Sequence, residues 1–582
     1  MAVPLNPDLP SSWEIPGVFF SINLFGQGAG VGALDKRLLL LGHRLSTGTM
    51  PPDQPVLVNG QADANQFFGR GSDLARMVAA ALSQVGGGVL DVWCCGINDP
   101  AAGTLATHLI TVAGTATASG SVDAYICGYR ASISIASGDT ATTVAANLLT
   151  EINKLLDLPV TAAAVAGVIT LTARHRGLVG NDLPVRVDQV GGAGITFSPG
   201  TLTYAVAAAG AGSATVSVST TVISTPITDL DAAATIAANV AAQINAGGYP
   251  VTASVAGAVV TLLYARDRYV HRIAAAIVTS GGTTVTPAVG VVVADAGAQR
   301  PTLTTALTNL AGLNGFSGWS PEFIDVTTLG TISTHIEQQG DGRRQKGQMV
   351  HVAATTALAV AGAIPPGTTP LLTASPRYSL AWCPESPQQA YELAARTAAM
   401  VCAEDYAPRN YDGKPLKTDA TVPLLLPPRA IRPSQDDQNA AIHTYFMTPL
   451  AVDEIAGTLD VVSGKTTSSS QDGTLHDWGT IRHIDFLRQS FSARLSSVFA
   501  GTNLRRNGTP HTANTVTVIS IRDQAFLHAT VLDAVDLYDG AEAFKDGFRA
   551  EPDAILPGRV NCFVPLAVIR SLHQIGAVGA PV

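Results

Sequence analysis

Apolar residues near the start of the chain alternate with polar ones. In Val18-Phe19-Phe20-Ser21-Ile22-Asn23-Leu24-Phe25, positions Val18, Phe20, Ile22 and Leu24 share one face, the pattern of a strand. Prolines punctuate the residues before it, and the tract 26–32 behind it is rich in glycine. A strand cut off from its own domain has unpaired edges and must join some other sheet. The segment 1–32 therefore predicts an extended arm whose strand includes Val18, Phe19, Phe20, Ile22 and Leu24, with Gly26, Gly28, Gly30 and Gly32 as its hinge.

From Lys36 the rhythm changes. Residues 38–42 form a continuous apolar run, and a helix starting at Ser72 carries Leu74, Met77, Val78, Ala81 and Leu82 in register until glycines 86–88 stop it. Residues 89–95, 323–327, 349–353 and 378–383 read as further buried strands. A helix is expected from Ser386, with Pro387 at its first position and Gln389 completing a capping box before Leu393, Thr397, Met400 and Val401. Strands alternating with helices predict an α/β core, a sheet covered on both faces, built from 33–103 and 301–430.

The last part, 431–582, mixes strands and helices and reads as an α+β domain. Its clearest helix starts near Asp477, with Ile481, Ile484, Leu487, Phe491, Leu495 and Val498 inward and Arg482, Asp485 and Gln489 outward, and ends by Gly501. Residues 559–568 read as a final strand in which Val560, Cys562 and Val564 share a face. Pro565 disfavours a central place in a sheet, so this segment predicts a second strand-exchanging arm.

Between the two halves of the core lies different material. Residues 104–300 are dominated by Ala, Gly, Thr, Ser and Val, and they repeat. Ala145-Ala146-Asn147, Ile152-Asn153 and Pro159-Val160-Thr161-Ala162 recur as Ala237-Ala238-Asn239, Ile244-Asn245 and Pro250-Val251-Thr252-Ala253. Val165-Ala166-Gly167 likewise recurs as Val255-Ala256-Gly257. Each copy reads as strand, helix, hairpin, which predicts a β-rich duplicated insertion with copies over 104–195 and 196–300.

Composition narrows the partners. The 582 residues exceed what one core holds, so several domains are expected. Charged residues are only 14% against 46% hydrophobic, as suits a subunit covered by neighbours. A net charge of −9 and the absence of a basic run argue against nucleic acid or an anionic membrane as the main partner. The longest uncharged stretch, 189–228, is full of Gly, Ser, Thr and Pro, so no membrane span is expected. The six cysteines form no CxxC or Cys/His zinc spacing, which suggests buried thiols in a reducing compartment. Pro4, Pro7, Asp8, Pro10 and Glu14 stand where a signal peptide needs a basic start and an apolar run.

Motifs for catalysis do not hold up in context. Gly28-Ala29-Gly30-Val31-Gly32-Ala33 matches a loose dinucleotide loop, but Lys36 to Gly42 behind it read as a strand rather than a phosphate-facing helix, so a hinge is the better reading and no cofactor is expected. Gly315-Phe316-Ser317-Gly318 lacks the final glycine of a nucleophile elbow and reads as a turn. His175 and His483 have no nucleophile with a supporting acid at a telling interval, and read as surface or half-buried histidines. Asp436-Asp437 and Glu404-Asp405 read as solvated charge or helix caps. Of Cys94-Cys95, which point to opposite faces of a strand, one is expected in the core. No catalytic, cofactor or metal residue is assigned, and the chain is not expected to be an enzyme.

The order of parts, with several local stretches, resembles the tail sheath family of contractile phages, particularly that of Mu-like phages. The stretches are Ser12-Trp13-Glu14-Ile15-Pro16-Gly17-Val18, Lys36-Arg37-Leu38-Leu39-Leu40-Leu41-Gly42 and Ala62-Asp63-Ala64-Asn65-Gln66-Phe67-Phe68-Gly69. Gly464-Lys465-Thr466-Thr467, ahead of a helix over 478–488, resembles the family's Arg-x-Ile-Thr-Thr element, with Gly-Lys departing from its start. The resemblance covers the core and the C-terminal region but not the insertion.

It implies a subtilisin-like core sheet without a catalytic site, since the sequence has no Gly-Thr-Ser-Met-Ala type turn. It further implies a homo-oligomer of six-membered rings stacked as a helical tube around a tail tube protein, with baseplate and tail terminator proteins as further partners. The sheath would contract to drive the tube through a host envelope. Such a protein belongs to the virion and is assembled in the host cytoplasm. Another tail or surface-layer protein, or a secreted hydrolase with adhesion repeats, are the alternatives.

Overall fold

A computed structural model describes residues 36–279 and 301–570, apart from 86–89, 205–209, 219–220, 272, 314, 342–343, 357, 359–375, 405–409, 419–423, 469–472, 506–513 and 557. The arm and hinge expected over 1–32, with Val18, Phe19, Phe20, Ile22, Leu24, Gly26, Gly28, Gly30 and Gly32, lie outside the described residues.

The chain is a multidomain mixed α/β protein. Six strands run parallel in the order Asp91–Ile97, Arg37–His43, Gly318–Pro321, Met349–Ala354, Tyr378–Trp382 and Thr448–Asp453. Antiparallel strands flank them: Pro55–Val58 on one side, Thr458–Val461 and then Pro415–Leu416 on the other. Leu38, Leu39, Leu40 and Leu41 are all fully buried. Leu38 and Leu40 meet the helices Asp73–Val85 and Ala390–Ala403, while Leu39 and Leu41 meet Thr304–Ala311 and Val326–Gly340. A strand covered on both faces has no polar side to show, so it reads as an unbroken apolar run. Each such leucine contributes roughly 1.5–3 kcal/mol.

The same double cover corrects the expectation for the cysteine pair. Cys94 and Cys95 are both buried, one in each of the two apolar layers. Residues 323–327 are not a strand. The strand is Gly318–Pro321, and Asp325 instead caps the helix Val326–Gly340, its Oδ1 accepting the Thr328 N–H at 3.0 Å. The helix expected from Ser386 starts at Ala390, and no capping box forms. Gln389, at the cap position, donates through Nε2 to the Asp182 carbonyl at 3.0 Å, reaching into the insertion.

In the insertion, the helices Ala141–Lys154 and Ala233–Ala246 precede the hairpins Val160–Val165/Val168–Arg176 and Val251–Ala256/Val259–Tyr264. Each copy holds more than strand, helix and hairpin. A hairpin also precedes each helix, Gly120–Ile126/Tyr129–Ile135 and Gly212–Val218/Thr221–Ile227. Each of these accepts a third strand from later in its copy, Val185–Gly191 and Ile273–Thr279. The repeated positions do the same work: Ala145 and Ile152 are buried in one core, Ala237 and Ile244 in the other. Ile195–Ser198 pairs with Leu105–Gly114 in the first copy, and Gly200–Thr203 pairs with Val259–Tyr264 in the second, so sheet membership changes between Ser198 and Gly200. The excursion opens and closes at one place, since residues 98–102 and Pro301 and Thr302 line a common cavity.

The helix Trp478–Phe499 begins at Asp477, whose Oδ2 accepts the Thr480 N–H at 3.0 Å. Of its expected outward face, Arg482 and Asp485 are buried and Gln489 is half-buried. Arg482 donates to the Tyr411 hydroxyl at 3.0 Å, and Asp485 accepts from Arg377 Nη2 at 2.9 Å. The first half of this helix touches the sheet layer around Tyr411, and the second half carries Phe491 and Leu495 into a separate cluster with Ala525, Ala529, Leu532 and Phe544. That second cluster belongs to the helices Val518–Asp533 and Ala541–Gly547. Among the described residues, no helix is long and apolar enough to cross a membrane.

Candidate functional site

The last two strands of the described chain form a ribbon. Arg549–Pro552 and Val560–Phe563 pair antiparallel, Arg549 opposite Phe563 and Pro552 opposite Val560, with no third strand among the described residues. Asp553 shapes the turn between them. Its Oδ1 accepts the Ile555 and Leu556 N–H groups at 2.8 and 3.0 Å, and its Oδ2 accepts Asn561 Nδ2 at 3.1 Å. These donors, the Leu556 N–H foremost, hold the Asp553 carboxyl below the usual range. Phe548, Ala567 and Val568 are buried beside the ribbon, and the Asp539 N–H donates to the Ala567 carbonyl at 3.2 Å.

Of the residues expected in the second arm, Val560 and Cys562 lie in this ribbon and Val564 does not. The strand ends at Phe563, Val564 packs on the cluster around Phe544, and Pro565 has no N–H with which to extend a ladder. Val560 and Cys562 are thus paired within their own chain along one edge. The outer edges carry no strand among the described residues, and Cys562, Phe563 and Ile555 are exposed. An isolated pair of strands is marginal by itself, and its free main-chain groups suit the addition of a further strand.

A second constellation lies at the carboxyl ends of the parallel strands. His43 ends one strand, Glu322 directly follows another, and Asp73 opens the helix Asp73–Val85; all three are buried. The His43 N–H donates to Glu322 Oε2 at 2.6 Å, and His43 Nδ1 lies 3.1 Å from Glu322 Oε1. The Tyr391 hydroxyl donates to Asp73 Oδ1 at 2.7 Å. His175 arrives from the first insertion copy, stacks on His43 at 5.4 Å between ring centres, and places Nδ1 2.8 Å from Asp99 Oδ1. Its Nε2 accepts the Asp73 N–H at 3.3 Å. A ring nitrogen of His43 and one oxygen each of Asp73 and Glu322 lie within 4.8 Å of one another. His43 Nδ1, the Glu322 carboxylate and Asp73 Oδ1 serve hydrogen bonds, while His43 Nε2 has no partner among the described residues; all three residues are buried, so the arrangement is a buried network of acids and imidazoles closed to solvent.

The reading of His175 as a surface or half-buried residue is therefore corrected. Its ring is 2% exposed, because strand alternation turns it inward while Arg174 and Arg176 reach main-chain carbonyls of Leu158 and Gly103. His43, Asp73, Asp99, Glu322 and Tyr391 had no signal of their own, since their spacing in sequence is long. His483 is buried, with Nε2 3.1 Å from the Leu537 carbonyl, and burial lowers it to about 4. Ser317 sits beside a turn, its hydroxyl donating to the Arg37 carbonyl at 3.0 Å. Asp437 completes a capping box with Ser434, and Glu404 pairs with Lys414 at 2.8 Å. Asp405 and the Gly28–Ala33 motif lie outside the described residues.

No family model matches the chain. Over 192 residues it is 32% identical to the Mu-like prophage FluMu tail sheath protein of Haemophilus influenzae. The chain resembles a Mu-like tail sheath protein. The match covers 33% of this chain and spans 39% of that relative's length. Among solved structures, a sheath tail protein of Desulfitobacterium hafniense is 11% identical with a TM-score of 0.39, covering 92% of this chain and 93% of its own. A sheath tail protein of Listeria innocua is 10% identical with a TM-score of 0.38, covering 90% and 89%. The contracted helical sheath of the anti-feeding prophage is 10% identical with a TM-score of 0.33, covering 47% and 74%. These are loose structural likenesses. The relatives are named for a structural role in tails and not for an enzymatic one.

Proposed function

We propose that this chain is the structural subunit of a contractile tail sheath, polymerising as stacked six-membered rings around a tail tube and contracting to drive that tube through a host envelope. The observation that carries this is the 192-residue match at 32% identity to a tail sheath protein. On this reading it is a virion component assembled in the host cytoplasm, with tube, baseplate and tail terminator proteins as partners. Its core keeps a subtilisin-like sheet arrangement with no hydrolytic role, and the insertion copies face outward.

The ribbon supports the means of assembly. Arms over 1–32 with Val18, Phe19, Phe20, Ile22 and Leu24 would add to a ribbon edge of a neighbour beside Val560 and Cys562, through main-chain hydrogen bonds that survive sliding of the domains. Gly26, Gly28, Gly30 and Gly32 would be the pivot. A head-to-tail contact that does not close generates a helix. Contraction without nucleotide requires an extended state trapped above the contracted one. A few kcal/mol gained per subunit sum to hundreds over on the order of 100 subunits, each kcal/mol needing only some tens of Å² of apolar burial.

Negative-stain microscopy of the purified chain tests the proposal, with tubes or rings expected. Removing residues 1–25 should leave a folded monomer that forms no long tubes. Normal tubes from that truncation would overturn the role of the arm.

A further inference from the structure

The seam between the core and the first insertion copy holds an imbalance that assembly does not use. Three carboxylates, Asp73, Glu322 and Asp99, meet two imidazoles, His43 and His175. Each imidazole is committed to one acid, His43 to Glu322 at 3.1 Å and His175 to Asp99 at 2.8 Å. Asp73 has no base of its own. It has the Tyr391 hydroxyl, and an oxygen within 4.8 Å of one on Glu322. Cations nearby are engaged elsewhere. Arg76, on the same helix, pairs with Glu392 at 2.5 Å and donates to the Cys127 and Asp157 carbonyls. Arg176 turns its guanidinium to the Gly103 carbonyl and offers only its main-chain N–H to Asp99.

Two buried carboxylates side by side cannot both ionise without a charge between them. Even if both imidazoles were charged, the acids would exceed the bases by one. We propose that Asp73 keeps a proton in mildly acidic solution and donates it to Glu322, and that losing this proton as pH rises to neutrality loosens the docking of the first insertion copy on the core.

The electrostatics agree with that direction. Burial, then the Glu322 carboxylate, carries Asp73 up to about 7. Asp73 holds in the fold a proton that it releases, when unfolded, above about pH 4. The seam is therefore firmest in acid and weakens as pH rises from about 4 to about 7, above which Asp73 adds no further loss.

Amide hydrogen exchange on the full chain, normalised to intrinsic rates, tests this at residues 98–104 and 172–177. Protection there should fall about tenfold or more between about pH 4.5 and pH 7, while the central strands keep theirs. Asp73→Asn supplies a permanent N–H donor toward Glu322 and should retain its protection up to pH 7. Tyr391→Phe removes a bond that favours the ionised carboxyl, so it should move the transition to higher pH. Flat protection in the wild type, an Asp73→Asn profile that tracks wild type, or an unmoved midpoint in Tyr391→Phe overturns the proposal. So does one equivalent of zinc or manganese that the purified protein retains through chelation and loses in Asp73→Asn, because a cation would then fill the place given to the proton.

Discussion

Asp485 reaches from the long C-terminal helix to Arg377, immediately before the core strand Tyr378–Trp382, and accepts from its Nη2 at 2.9 Å with both side chains largely out of water. Arg488, one turn on, donates to the Gly340 carbonyl at 2.7 Å, so one helix face ties the C-terminal region to two core elements. Truncating one member of a buried pair costs up to about 3–5 kcal/mol, and Arg488 Nη2, 3.6 Å from Asp485 Oδ1, offsets part of it. Arg377→Ala and Asp485→Ala should each lower unfolding stability by up to that amount, and the double variant by much less than their sum. Urea denaturation checks it; strictly additive losses would refute the coupling.

Gly347 provides a second test of the same contact. A Cβ built there would overlap the Asp485 carboxylate. Gly347→Ala should push that carboxylate off Arg377 and reproduce much of the Asp485→Ala loss, whereas a stability equal to wild type would show that the helix can yield.

Arg76 joins three elements that are distant in sequence, with Glu392 on one side and the Cys127 and Asp157 carbonyls on the other. Arg76→Lys keeps the charge but loses the fork that serves several acceptors at once. It should expose the seam to limited proteolysis nearly as much as Arg76→Ala does. Lysine rescue to wild-type resistance would mean that charge alone is needed.

Acid should destabilise the fold through histidines that stay neutral inside it. Burial lowers His108 and His351 to about 3 and His483 to about 4. Below about pH 6.5 the unfolded chain takes up protons that the fold refuses, so each such histidine removes about 1.4 kcal/mol per pH unit until its folded value is reached. His351 is fully buried, and neither ring nitrogen has a hydrogen-bond partner among the described residues. His351→Phe should therefore flatten the fall in stability between pH 6.5 and 4, read by thermal unfolding. An unchanged slope would contradict it.

Five of the six cysteines are buried and Cys562 is exposed, on the ribbon that the assembly reading uses. A maleimide should label the native monomer once, at that thiol. In assembled tubes the rate should drop at least severalfold if a neighbour's strand covers the ribbon, and an equal rate would separate Cys562 from any contact.

Burial geometry decides how much of this was legible in the sequence. Strands such as Arg37–His43 and Tyr378–Trp382 were legible because cover on both faces leaves only apolar side chains. The helix Trp478–Phe499 was legible in position but not in its faces, since Arg377 and Tyr411, which bury Asp485 and Arg482, come from far along the chain. Residues 323–327 misled because Phe323 and Ile324 are apolar at the approach to a helix whose cap, Asp325, looks like an ordinary acid. The duplication was visible as repeated letters, although the additional hairpin in each copy is too variable in sequence to repeat. The acid cluster was invisible for a plainer reason: His43 and Glu322 are 279 residues apart, and Tyr391 and Asp73 are 318 apart.

Because the excursion over 104–300 leaves and rejoins the core at one spot, its ends are already neighbours. A genetic exchange with breakpoints there could fit a different passenger onto the same carrier without lengthening any connection. The newcomer would have to honour the fittings on the carrier's side, among them acceptors for Arg76, a carbonyl for Gln389 and an imidazole for Asp99. Those demands amount to a mounting standard, and chimeras that respect it should fold where equally well-joined ones that ignore it do not.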